Sequence, residues 1–125
     1  MKRVTAIKKH DLARRFIAKA LRDRGHDVRE FDHPASFLES VDEHADCIVT
    51  GVWFDRDLSP SGISLIRELS RQGVRVPVIV FSSLKEHEQE AAEAAAYAFL
   101  CHNTFDFTEL ADLVSEAIAS QPSMS

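Results

Sequence analysis

Short apolar runs alternate with amphipathic segments from one end of this chain to the other, and that alternation constrains the fold more than any single motif. Val4-Thr5-Ala6-Ile7, Val28 to Phe31, Cys47 to Val49, Val76 to Phe81 and Tyr97 to Cys101 read as strands. The fourth is the clearest, being nearly all apolar and β-branched. Helix-like stretches lie between them. Asp11 is positioned to cap the first, with Leu12, Phe16, Ile17, Ala20 and Leu21 along one face and Gly25 suited to a left-handed ending. Pro34 opens a second carrying Phe37, Leu38 and Val41. Gly62 to Arg71 and Lys85 to Ala96 give two more. Asp106-Phe107-Thr108-Glu109 has the pattern of a capping box ahead of Leu110, Leu113, Val114 and Ile118.

Strands alternating with helices imply a parallel sheet covered on both faces. Right-handed crossovers then bring the C-terminal end of every strand to one edge, where ligand chemistry in such folds collects. The residues expected at that edge are Lys8, Lys9, His10, Thr50, Gly51, Ser82, Ser83, Cys101, His102 and Asn103.

With 125 residues, the chain is long enough for one domain with a substantial core and too short for two. That places a single domain over residues 1–120 and a tail or linker stub over 121–125. A net charge of -5 argues against direct nucleic-acid binding. No apolar run approaches a membrane span, and no signal peptide is visible ahead of the first strand. Cys47 and Cys101 form neither a disulfide framework nor a zinc pattern, so a cytoplasmic location is expected. Six scattered histidines suggest no metal site, and no phosphate-cradling glycine loop or nucleophile elbow is present. The expectation is a protein that is not an enzyme and carries no cofactor.

Several stretches carry a resemblance to a known family. Asp46-Cys47-Ile48-Val49-Thr50, Gly62-Ile63-Ser64-Leu65-Ile66, Pro77-Val78-Ile79-Val80-Phe81-Ser82, Phe99-Leu100 and Phe105-Asp106 follow in the order and spacing of a bacterial response-regulator receiver domain. The chain resembles that family from Arg3 to about Ala119. The resemblance implies a flavodoxin-like, doubly wound, five-stranded parallel sheet in the order 2-1-3-4-5, with helices on both faces. It also implies work in bacterial signal transduction beside a histidine kinase, an output domain, another signalling protein or a second copy of the chain. In that strand order the fourth strand separates Cys47 from Cys101, which disfavours a disulfide.

The family's phosphorylation residues are replaced at position after position. Its metal-binding acidic pair falls on Lys8 and Lys9, its phospho-accepting aspartate on Gly51, and its lysine on His102 or Asn103. Only Ser82 keeps the expected type. Mg²⁺ needs oxygen ligands, and ammonium groups repel it. The expectation is therefore an atypical, pseudo-receiver member that acts by phosphorylation-independent protein–protein interaction. Two alternatives stay open. The stretch from Val52 to Ser61 is longer than the family's loop, so Asp55 or Asp57 could slide into the acceptor role. Lys8, Lys9 and Ser82 could instead bind an anionic small molecule beside the first helix.

Other residues carry narrower expectations. Lys8 or Lys9 can substitute for the metal as an internal cation, paired with Asp11, Asp55 or Asp57. Trp53 and Phe54 either mark an interface or fill the pocket. Phe99, Phe105 and Phe107 lie around the fifth strand and last helix, the face that carries dimerisation in the family, and are candidate interface anchors.

Overall fold

The computed structural model describes residues 2–39, 45–54, 61–82, 85–101 and 107–120. Five parallel strands form one sheet: β1 (Arg3–Ile7), β2 (Asp27–Phe31), β3 (Cys47–Thr50), β4 (Val78–Ser82) and β5 (Ala98–Cys101). Their order is β2-β1-β3-β4-β5, as the resemblance implies. Among the described residues, five α-helices connect or follow them: α1 (Asp11–Arg22), α2 (Pro34–Leu38), α3 (Ser61–Arg71), α4 (Glu88–Glu93) and α5 (Thr108–Ala119).

The strands read as apolar runs because both faces of the sheet are covered. Side chains alternate between the faces. Val4, Ala6, Cys47, Val49, Ile79 and Phe81 point into one buried cluster with α1 and α5. Ile7, Ile48, Val78 and Val80 point into the other, with α2, α3 and α4. The first cluster has two twelve-residue helices above it. The second has the eleven-residue α3 flanked by α2 and α4, which are only five and six residues long.

Several boundaries differ from the sequence reading, each for a local reason. His10, not Asp11, caps α1, its Nδ1 accepting from the Ala13 amide at 3.3 Å. Asp11 begins the helix and pairs with Arg14 at 2.5 Å. The buried stripe of α1 is Ile17, Ala18 and Leu21, while Leu12 and Phe16 are exposed. Pro77 lies outside β4, although its carbonyl accepts from the Ile48 amide at 3.0 Å. The Lys85–Ala96 stretch divides into a 3₁₀ turn over Lys85–His87, then α4, then a reversal at Ala95 with φ of +73°. That reversal lets the Tyr97 amide reach the Val78 carbonyl at 2.8 Å and start β5. Phe107 takes the N-cap position of α5 without a side-chain cap, so the capping-box frame does not apply, and Asp106 lies outside the described residues. Gly25 closes α1 in the left-handed region at φ +87°, as its place after the helix suggests.

Candidate functional site

The C-terminal edge of the sheet gathers the ends of β1, β3 and β4. The Gly51 amide donates to the Ile7 carbonyl at 2.9 Å, which carries the β3 ladder one residue past Thr50. Lys8 follows β1, its amide donating to the Phe31 carbonyl at 3.1 Å. Its side chain then turns across the sheet edge and lies over Gly51. A Cβ built on Gly51 would stand 3.2 Å from Lys8 Cδ and 3.5 Å from Nζ. The lysine stem therefore fills the space into which a residue-51 side chain would project.

The ammonium ends at β4. Lys8 Nζ donates to the Phe81 carbonyl at 3.0 Å and lies 5.5 Å from the centre of the Phe81 ring. Both contacts favour a cation. Burial opposes them and prevails, holding the Lys8 pKa below the usual lysine value. Arg14 fixes the backbone behind it: Nη1 donates to the Lys8 carbonyl at 2.7 Å, and the guanidinium also lies 3.5 Å from Glu30. Sequence reasoning missed both the Phe81 carbonyl and Arg14. A main-chain acceptor leaves no residue-type signal, and Arg14 reads as one more polar position on an amphipathic helix.

Gly51 is held from the α3 side as well. Thr50 Oγ1 donates to the Gly51 carbonyl at 3.0 Å, and the Gly62 amide donates to the Val52 carbonyl at the same distance. A Cβ at Gly62 would sit 1.7 Å from the Gly51 carbonyl oxygen, so only glycine lets α3 begin this close to the site.

The expected site residues fall into three groups. Lys8, Gly51 and the end of β4 come together as described. Ser82 is buried at the end of β4, in register with Cys101 of β5, and Lys9 is exposed beside Lys8. Asp55, Asp57, His102 and Phe105 lie outside the described residues. Asp11, one suggested partner for the lysines, is instead paired with Arg14, although it shares a shallow hollow with Lys8, Lys9, His10 and Trp53. No group of three or more His, Cys, Asp or Glu among the described residues could hold a metal ion.

The aromatic residues divide between core and surface. Phe107 is not a surface anchor: it is only 8% exposed, its ring lying 5.7 Å from that of Phe81 and stacked at 6.3 Å on Phe16. The α1–α5 contact covers it. Phe99 is half-buried and packs against the cluster beneath α3 and α4, while its neighbour Tyr97 is exposed. The pair Trp53 and Phe54 divides. Phe54 is buried beside His33, with ring centres 5.4 Å apart. Trp53 stays 43% exposed and donates from Nε1 to His87 Nε2 at 3.0 Å. Cys47 is fully buried, and burial pushes its thiol pKa up to about 12, which makes it inert. No described helix is long and apolar enough to cross a membrane.

Comparison with solved structures gives the same fold throughout. The receiver domain of Francisella response regulator 1452 is 22% identical, with a TM-score of 0.82 over 95% of this chain and 98% of that one. TrrA of Thermotoga maritima, solved in complex with Mg²⁺-BeF, is 16% identical, with a TM-score of 0.82 over 94% and 99%. The receiver domain of NtrX from Brucella abortus is 20% identical, with a TM-score of 0.82 over 94% and 99%. No curated protein matches the sequence. The family description "response regulator receiver domain" matches residues 4–115, nearly the whole of the sheet and its helices. This chain belongs to the response regulator receiver domain family, the signalling domain of two-component systems.

Proposed function

We propose that this receiver works without phosphoryl transfer, as a protein–protein interaction module in two-component signalling, and that it is not an enzyme. The observation that carries the reading is the path of Lys8. Its stem packs on Gly51 and its ammonium reaches the Phe81 carbonyl. A positive charge thus lies among the strand ends where the family holds Mg²⁺, whose ligands are oxygens. The residues described here do not fit a divalent cation, and Gly51 has no side chain to accept phosphate. A receiver is a two-state element, and a partner can bias such an equilibrium without covalent modification if it binds one state better. The partner is an output domain, a histidine kinase, another signalling protein or a second copy, met in the cytoplasm.

The reading as an anion sensor over Lys8, Lys9 and Ser82 is weaker. The Lys8 ammonium already has an acceptor, and the Asp11 carboxylate borders the same hollow. The reading in which Asp55 or Asp57 accepts phosphate is decided by direct assay. The protein is incubated with acetyl phosphate and Mg²⁺ and its intact mass is measured. No acid-labile phosphate is expected. Stoichiometric phosphorylation of any aspartate would overturn the proposal.

A further inference from the structure

We propose that Trp53 and His87 form a proton-sensitive latch tying the segment after β3 to the start of α4. Nothing in it depends on whether phosphoryl transfer is retained, so it goes beyond the function proposed above. An indole N–H can only donate. Its 3.0 Å contact with His87 Nε2 therefore requires a lone pair on that nitrogen. The other ring nitrogen, Nδ1, lies 3.1 Å from Glu90 Oε1, and a carboxylate can only accept. In this arrangement the His87 proton sits on Nδ1 and both ring nitrogens are engaged. The two rings meet edge to face, with centres 5.2 Å apart and planes at 70°.

Adding one proton reverses one of these bonds. Nε2 then carries a hydrogen directed at the indole N–H, and two donors cannot share a hydrogen bond. A second acceptor already stands by: Glu86 Oε1 is 3.5 Å from Nε2. The imidazolium is held between Glu86 and Glu90, and the indole is released. The His87 side chain is only 12% exposed. Among the described residues, the charged and titratable groups on the other side of the indole are Lys8, Lys9, His10 and Asp11, which line the hollow that Trp53 borders.

Both ends of the latch matter to a receiver. Trp53 stands two residues after Gly51, and His87 immediately precedes α4. That helix is six residues long, and Ala91 is its buried residue. Protonation would free the start of α4 and leave the indole to settle over the hollow beside Lys8.

Trp53 is the chain's single tryptophan, so its fluorescence reports the latch directly. The intact protein is titrated from about pH 8 to about pH 5, the window in which histidine ordinarily changes charge. A single sigmoidal shift in emission is expected. It should be lost in His87→Gln, whose amide oxygen still accepts from the indole, and kept in His10→Gln. Glu90→Gln removes one carboxylate facing the imidazolium and should move the midpoint to lower pH; this variant carries the test if His87→Gln does not fold. Emission that is flat with pH in the unmodified protein overturns the latch. So does a titration that persists in His87→Gln, that disappears in His10→Gln, or whose midpoint stays put in Glu90→Gln.

Discussion

Val49 and Gly51 lie two residues apart, yet different forces hold them. Val49 is buried under α1 and α5, and the rest of β3 and β4 is likewise enclosed between helices. The sheet interior follows the receiver pattern, with apolar side chains directed alternately to two cores. At Gly51 that pattern stops. The sheet edge is held by particular contacts instead: an ammonium on a carbonyl, a threonine hydroxyl on a carbonyl, and a glycine under a glycine. Residues that set the fold and residues that set the chemistry are separate groups, so one can change while the other stays. In this chain the interior follows the family's sheet pattern, and under the proposed reading the edge carries lysine and glycine in place of the family's carboxylates.

The largest expected effect tests the interior. Phe107→Asp would place a carboxylate between the Phe16 and Phe81 rings. A buried charge without a partner is among the most destabilising changes known, and a loss of about 4 kcal/mol in denaturant unfolding is expected. A variant that keeps its stability and changes only its association state would mean that Phe107 is surface after all, and would erase the boundary drawn here.

Gly62→Ala examines the seam between the two regions. The added methyl would overlap the Gly51 carbonyl, so α3 must move or the edge must open. A loss of about 3 kcal/mol is expected from overpacking against backbone, with disturbance of the Gly51 amide seen by hydrogen exchange. A loss below about 1 kcal/mol would show that the edge is softer than its hydrogen bonds imply.

The smallest effect belongs to the edge. Lys8→Met keeps the stem over Gly51 and removes the charge, and a change within about 1 kcal/mol at neutral pH is expected, since an apolar isostere often replaces a buried charge without loss. The pH dependence is the sharper readout. Burial lowers the Lys8 pKa, so the unfolded chain holds this proton more tightly than the folded one. Stability then rises with pH between the lowered value and the usual lysine value of 10.5. The native protein should gain on Lys8→Met as pH climbs through that window. A parallel pH profile for the two would show Lys8 to be solvated.

The amino-acid sequence by itself determined the strand and helix succession, the two-sided burial of the sheet, and the gathering of Lys8, Gly51 and Ser82 at one edge. These follow from side-chain period, β-branching and chain connectivity, which are local or nearly so. Only the tertiary structure decided where each side chain spends its polar atoms. Lys8 turns to the Phe81 carbonyl and not to Asp11, because Asp11 lies one turn before Arg14 on α1 and pairs there first. Phe107 turns inward because α1 and α5 sit side by side and Phe16 closes over it. Trp53 finds His87, thirty-four positions away, because β3 and β4 are neighbours and their following segments leave the sheet at the same edge. Main-chain acceptors and cross-chain ring contacts have no sequence period, so they come into being only when the elements pack.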